Sequence, residues 1–160
     1  MLNENESFLD YFDLKFLFLQ KKYKLGGTNE KNSFISLLKQ FVLTQNNVTN
    51  TSYVLENDEL IDWNSISSSV KMNLYRIIQE ASNNINKFAQ AKTAIIRFVL
   101  YGKKLCLSVT DNGKGFDPKT NSEGIGLKNI KQRVESLHGK LVIQSERNKK
   151  TTLTISFSIK

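Results

Sequence analysis

Residues 72–89 of this chain are MNLYRIIQEASNNINKFA, in which apolar residues recur at helical spacing. The apolar residues that fall on one stripe of such a helix are Leu74, Ile77, Ile78, Ala81, Ile85 and Phe88. Glu80, Asn84 and Lys87 are spaced at i, i+4 and i+7, so they form a second stripe beside the first. Carboxylate and amide oxygens suit a divalent cation, and a lysine suits phosphate oxygens. The stretch predicts a half-buried helix whose border suits a metal–polyphosphate ligand; a solvated helix flank is the alternative.

Residues 105–115, LCLSVTDNGKG, predict a strand followed by a glycine-rich loop. One face of the strand carries the apolar residues Leu105, Leu107 and Val109. Asp111 continues this face, so its carboxylate is predicted to point inward, where it needs a polar partner. The exocyclic amine of adenine would be such a partner, and Gly113 and Gly115 would let the backbone approach a flat ring. Ordinary surface-turn chemistry is the alternative, because Asp-Asn-Gly is common in turns.

Residues 124–129, GIGLKN, open a further predicted helix. Free backbone N–H groups and the helix dipole make such an N-terminus favourable for phosphates. A plain glycine loop before an amphipathic helix is the alternative, because a lone G-x-G pattern has little specificity. In the last predicted strand, Thr151 shares the inward phase of Leu153, so its hydroxyl is expected to reach the same pocket.

In this order and spacing, the three stretches resemble the N, G1 and G2 boxes of the family that contains the histidine kinases, DNA gyrase, the MutL mismatch-repair proteins and the Hsp90 chaperones. Residues 75–81 (YRIIQEA) and 124–135 (GIGLKNIKQRVE) are similar to the subgroup of histidine kinases that signal to LuxR-type, helix-turn-helix response regulators. The resemblance covers residues 47–160 and, more loosely, extends back to Asn32. It implies an α+β fold, the Bergerat two-layer α/β sandwich, with a mixed sheet and helices on one face.

The resemblance also implies ATP and Mg²⁺ as ligands. Asn84 would coordinate the Mg²⁺ that bridges the phosphates, with Glu80 beside it as a catalytic residue and Lys87 on phosphate oxygens. Asp111 would accept a hydrogen bond from the adenine amine.

Six further positions would complete the nucleotide site by the same resemblance. They are Gly113 and Gly115 on the adenine wall, Gly124 and Gly126 at the end of a short lid over the phosphates, Leu127 as a further nucleotide-binding residue, and Thr151, which would contact adenine through water.

The chain departs from the family pattern in three places. Phe88 stands where many relatives have His, and it is expected to pack; Lys150 replaces the usual Gly before Thr151. The sequence lacks the upstream phosphoacceptor helix, and its single histidine, His138, follows the G2 box and is predicted to cap or pack a helix end before Gly139. Phosphoryl transfer to a histidine is therefore not expected within this chain.

The chain divides into two predicted parts. Residues 1–46, with helices at 7–24 and 31–45, would be a stub or a replacement of the dimerisation and phosphoacceptor region. Residues 47–160 would be the ATP-binding catalytic domain. The implied partners are the phosphoacceptor helix of the same kinase, a LuxR-type response regulator and, for the full-length protein, a second copy of itself.

Composition narrows the function classes without choosing one. The chain has 23 Lys and Arg against 15 Asp and Glu, a net charge of +8, but the basic residues are scattered as on a solvated surface. The lone Cys106 excludes an internal disulfide and a cysteine-built zinc site. No segment has the roughly 18 consecutive apolar residues of a membrane span, so a cytoplasmic location, or the cytoplasmic part of a membrane-anchored sensor, is expected.

Two other functions compete with the kinase hypothesis. A stand-alone ATPase or a serine kinase of the same fold, like the anti-sigma-factor kinases, is supported by the spacing of Glu80 and Asn84, which places a general base near an attacking water in the gyrase-like branch. A basic nucleic-acid-binding module is disfavoured, because no predicted strand face interleaves aromatic and basic residues.

Overall fold

A computed structural model describes residues 33–119 and 124–160. The described helices and strands, in chain order, are α1 (Phe34–Val48), β1 (Ser52–Asn57), α2 (Ser68–Asn84), β2 (Thr93–Tyr101), β3 (Lys104–Asp111), α3 (Ile125–Ser136), β4 (Lys140–Gln144) and β5 (Thr151–Ser158). The strands form one sheet in the order β1-β2-β3-β5-β4. The β1–β2 pair is parallel and the other pairs are antiparallel, so the predicted mixed sheet is confirmed.

The core lies between one face of the sheet and the helices. Alternate strand residues are buried against α2 and α3: Ala94, Ile96, Phe98, Leu105, Leu107, Val109, Leu153, Ile155 and Phe157. From α2, the predicted stripe Leu74, Ile77, Ile78 and Ala81 is buried, and α3 contributes Ile130 and Val134. Within the described residues, no helix is long and apolar enough to cross a membrane.

Helix α1 packs into this same core. Its residues Phe34, Leu37 and Leu38 are buried, and the Phe34 ring centroid lies 4.8 Å from that of Trp63. Ser33 caps the start of the helix: its hydroxyl accepts a hydrogen bond from the Ser36 N–H. The predicted boundary between residues 46 and 47 therefore falls inside α1, and the predicted helix at 7–24 lies outside the described residues.

The end of the second helix differs from the prediction. After Asn84 the chain continues as a π-helical turn, Ile85–Ala89, and leaves it through Gln90, which has a φ of 52°. A π-helical turn contains more residues than an α-helical one, so the side chains beyond Ile85 rotate away from the apolar stripe. Ile85 is buried but Phe88 is 63% exposed, and the expectation that Phe88 continues the buried stripe was wrong.

Helix α3 ends in a cap built on His138. This residue has a φ of 51°; its N–H donates to the Glu135 carbonyl at 2.8 Å, and the Gly139 N–H donates to the Val134 carbonyl at 2.9 Å. These two bonds form the Schellman arrangement, which confirms a capping position for His138. Glycine usually occupies the left-handed position, but here Gly139 comes one residue later, where a Cβ would lie only 3.0 Å from the Ser156 carbonyl oxygen.

We expect His138→Gly to stabilise the domain. A non-glycine residue at a left-handed φ costs about 1 kcal/mol, and removing that cost should raise Tm by about 3 °C in a domain of this size. Thermal unfolding followed by circular dichroism measures the change. His138→Ala keeps the backbone cost and should show no such rise; an equal Tm for the Gly and Ala variants would contradict this explanation of the cap.

Candidate functional site

A cavity of about 680 Å³ lies between α2, the ends of β3 and β5, and the start of α3. Its walls include seven residues that the sequence predicted for the site: Asn84, Asp111, Gly115, Gly124, Gly126, Leu127 and Thr151. Asn84 and Thr151, which are 67 positions apart in the chain, thus line one cavity. Glu80 and Gly113 do not line the cavity themselves, but the residues that follow them, Ala81 and Lys114, do.

Asp111 lies buried at the end of β3, as the strand alternation predicted. Its Oδ1 accepts a hydrogen bond from the Gly113 N–H at 2.8 Å, and Oδ2 has no hydrogen-bond partner among the described residues. Burial raises the pKa of this carboxyl, and the Gly113 N–H offsets part of that rise. A buried carboxylate with an acceptor oxygen left over is suited to a ligand that donates a hydrogen bond.

The loop after β3 is clamped on both sides. A side chain at Gly113 would overlap the Ala89 carbonyl oxygen, and the Lys114 N–H donates to that same oxygen at 2.8 Å. Gly115 has a φ of 58°, and a Cβ there would overlap the Glu146 carbonyl oxygen. The two glycines are therefore required for close backbone approach, one against the π-helical turn and the other against the β4–β5 connection.

Side-chain oxygens that could bind a metal converge where α3 approaches α2. A Cβ built on Gly126 would lie 3.1 Å from both the Asn84 Oδ1 and the Glu80 Oε2, while the Asn129 Nδ2 donates to the Glu80 Oε1 at 3.4 Å. One carboxylate and one amide oxygen fit Mg²⁺, which usually takes one or two protein ligands and keeps several waters. Among the described residues no group of three or more acidic, His or Cys side chains could hold a metal by itself.

Thr151 lies beside Asp111 in the pairing of β5 with β3. Its Oγ1 is 2.7 Å from the Ser145 Oγ, which in turn accepts the Phe116 N–H at 2.9 Å. Thr151 lines the cavity even though Lys150 replaces the usual glycine before it. Lys87, in contrast, is exposed on the π-helical turn and is not part of the cavity wall, because that turn carries it out of line with Glu80 and Asn84.

Comparison with known proteins shows the family of this chain. Residues 69–160, more than half of the chain, match the family described as histidine kinase-, DNA gyrase B- and HSP90-like ATPases. The chain belongs to this ATPase family.

Three curated relatives of this ATPase-family chain are sensor kinases. The signal transduction histidine-protein kinase/phosphatase DegS of Brevibacillus brevis is 40% identical over 91 residues, which are 56% of this chain and 24% of DegS. The sensor histidine kinase ComP of Bacillus subtilis is 39% identical over 88 residues (53% of this chain, 11% of ComP). The histidine-protein kinase/phosphatase UhpB of Salmonella typhimurium is 31% identical over 98 residues (61% and 20%). The matched part is thus a quarter or less of each relative.

Solved structures show the same fold. The histidine kinase domain of the Erythrobacter litoralis blue-light activated histidine kinase superposes with a TM-score of 0.70 at 14% identity, over 88% of this chain and 69% of that one. The Acinetobacter baumannii histidine kinase AdeS gives a TM-score of 0.62 at 13% identity, over 99% and 86% of the two chains.

Several cavity residues of the ATPase domain were not predicted from the sequence. They are Lys114, Phe116, Lys131, Ile143 and the exposed ring of Phe88. The inward alternation of β4 would have indicated Ile143, and Phe116 directly follows the glycine loop. Lys131 and Lys114 carry no local signal, because isolated lysines on a basic chain are usually solvated.

We expect Asp111→Asn to raise the stability of the nucleotide-free domain. The raised pKa means that the ionised carboxylate is less favourable in the folded than in the unfolded chain, and an amide keeps the shape and the bond from Gly113. In the unmodified chain, ionising Asp111 lowers the folding stability as pH rises from the ordinary Asp pKa to the raised pKa. The Tm advantage of the variant should therefore shrink as pH falls through that range.

Asp58→Asn is the matched control with the opposite sign. The Asp58 carboxylate accepts the Leu60 and Leu100 N–H groups, which lower its pKa. The ionised Asp58 carboxylate stabilises the fold above the ordinary Asp pKa, and this stabilisation is lost as pH falls through the lowered pKa. The Asp58→Asn variant should therefore have a lower Tm than the unmodified chain near neutral pH. A fall in Tm for Asp111→Asn, measured by calorimetry, would contradict our account of the buried carboxylate.

Proposed function

We propose that this chain is the ATP-binding catalytic domain of a sensor histidine kinase and supplies the γ-phosphate to a histidine outside the chain. The observation that carries the proposal is the buried Asp111, which faces the cavity with one oxygen unbonded to any described residue. Sensor kinases that are 31–40% identical over 88–98 matched residues support the kinase class over other members of the family.

Adenine would occupy the inner part of the cavity. Its exocyclic amine would donate to the Asp111 carboxylate, which supplies the partner that burial of this group requires. Gly113 and Gly115 hold the loop close enough to form a wall along the ring. Thr151, whose hydroxyl lies in the same row as Asp111, would support the base through water.

The triphosphate would extend toward the start of α3. Gly124, Gly126 and Leu127 border the cavity there, and the N-terminus of a helix attracts anions. Mg²⁺ would be held by the Asn84 amide oxygen with Glu80 beside it, and it would neutralise phosphate charge during transfer. Lys87 is proposed as a phosphate contact through its long flexible stem, a less direct role than the sequence suggested.

The phosphate acceptor is proposed to lie outside this chain. His138 follows the end of α3, whereas Gly124 and Gly126 lie at its beginning, and a helix of this length separates its ends by about 20 Å. Phosphoryl transfer needs donor and acceptor in line and in contact, so His138 cannot be the acceptor within one chain. Incubation with labelled ATP should therefore leave no acid-labile phosphohistidine on this chain.

The remaining partners follow from the same proposal. They are the phosphoacceptor helix of the parent kinase, a second kinase subunit and a LuxR-type response regulator, in a cytoplasmic setting. A stand-alone ATPase or an anti-sigma-type serine kinase remains the second candidate, because the Glu80 Oε2 and the Asn84 Oδ1 both approach Gly126, where a carboxylate could orient a water. Acid-stable label on a serine of a partner protein would favour that candidate.

Metal dependence tests the site. We expect Asn84→Ala to lose most of the Mg²⁺ dependence of binding to a non-hydrolysable ATP analogue, because the amide oxygen is a proposed metal ligand. Isothermal titration with and without Mg²⁺ measures the loss. Asn83→Ala is the matched control, since Asn83 is an exposed neighbour outside the cavity wall. Metal-dependent binding that persists in Asn84→Ala would refute this role for Asn84.

A further inference from the structure

We propose that a polar network formed by Gln45, Asn86 and Tyr53 positions the π-helical turn Ile85–Ala89, and thereby makes helix α1 a determinant of nucleotide affinity. The proposal rests on the proposed function, because it assumes that the cavity binds ATP. Helix α1 lies outside the residues 69–160 that match the family, so the network links a separate helix to the site.

The network is a continuous chain of hydrogen bonds. The Asn86 Nδ2 donates to the Gln45 Oε1 at 2.9 Å, and the Asn86 Oδ1 accepts the Tyr53 hydroxyl at 2.7 Å. That hydroxyl also lies 3.3 Å from the Ser82 carbonyl oxygen. The π-helical turn is thus joined by one side chain, Asn86, both to α1 and to the first strand.

Tyr53 is held from both ends by consecutive residues of α1. Gln45 reaches its hydroxyl through Asn86, and the side chain of Asn46 pairs with its backbone, accepting the Tyr53 N–H at 2.6 Å and donating to the Tyr53 carbonyl at 3.1 Å. Burial raises the pKa of Tyr53 to about 12, so the hydroxyl stays protonated and keeps donating at physiological pH. A movement of α1 therefore acts on the ring and the backbone of Tyr53 together.

The turn lines the candidate nucleotide site, and Tyr53 lies in the same row of the sheet as two of its residues. Tyr53, Ala94, Asp111 and Thr151 are successive partners across four strands, so they form one row on the sheet. On the turn, Ile85, Phe88 and Ala89 line the cavity, and the Ala89 carbonyl accepts the Lys114 N–H of the glycine loop. Displacing the turn would move one cavity wall and the loop that shapes the adenine pocket.

The polar groups of the network can be altered with little risk to the fold. Asn86 is exposed, and its bond to Gln45 lies at the surface, so losing that bond should change the position of the turn more than global stability. A single hydrogen bond of this kind corresponds to about a 2- to 12-fold change in an equilibrium constant. That range sets the size of the expected effect on nucleotide affinity.

The test compares three substitutions on α1. Gln45→Ala removes the acceptor of the Asn86 amide, Gln45→Glu keeps a side-chain oxygen in its place, and Gln40→Ala alters an exposed residue of the same helix that takes no part in the network. We expect Gln45→Ala to bind a non-hydrolysable ATP analogue with Mg²⁺ about 2- to 12-fold more weakly and to show faster amide hydrogen exchange in residues 85–89. The other two variants should match the unmodified chain in both measurements.

Tyr53→Phe provides a second route to the same result. It removes the hydroxyl but keeps the ring, so it should reproduce the faster exchange and weaker binding, while Tm confirms that each variant is folded. Unchanged affinity in both Gln45→Ala and Tyr53→Phe would overturn the proposal, whether or not exchange becomes faster. If the unmodified chain binds no ATP analogue, the proposed function fails instead. Hydrogen exchange then tests the network separately: exchange in residues 85–89 that is unchanged in Gln45→Ala and Tyr53→Phe would refute it.

Discussion

The buried carboxylate of Asp111 is the constraint on which the site depends. It ends a strand whose preceding inward residues are apolar, and it is the only acidic residue buried within the described parts of the chain. Desolvation makes its ionised form unfavourable, and the single bond from the Gly113 N–H does not satisfy both oxygens. The adenine amine that we propose as its partner would account for a buried carboxylate that lowers the stability of the nucleotide-free domain.

The glycines and the π-helical turn follow from the same constraint. For the loop after Asp111 to fold back along the cavity, its backbone must touch both Ala89 and Glu146, and a side chain at Gly113 or Gly115 would prevent this. The turn supplies the Ala89 carbonyl that anchors the loop, and Asn86 on the same turn connects it to Tyr53 and α1. The shape and the polarity of the pocket are thus set by contacts among the loop after β3, the π-helical turn and the β4–β5 connection.

Much of this arrangement could be predicted from periodicity. The two-residue alternation from Leu105 to Val109 placed Asp111 on the inner face, and the helical spacing from Leu74 to Ala81 gave the buried stripe of α2. The end of that helix could not be predicted, because residues 85–89 keep an α-helical pattern and no local residue marks a π-helical turn. Nor does the sequence mark the left-handed residue at the end of α3: glycine usually takes that position, but here it falls on His138, since packing against Ser156 needs the glycine one residue later.

Base selectivity tests the central claim most directly. The unmodified chain should be titrated with non-hydrolysable analogues of ATP and of GTP, in Mg²⁺ and at one salt concentration. Guanine presents an acceptor where adenine presents its amine, so it would leave the Asp111 carboxylate unpaired, a loss on the order of 1–3 kcal/mol. We expect the ATP analogue to bind about 5- to 150-fold more tightly than the GTP analogue. Equal affinities would contradict the assignment of this cavity as an adenine-nucleotide site.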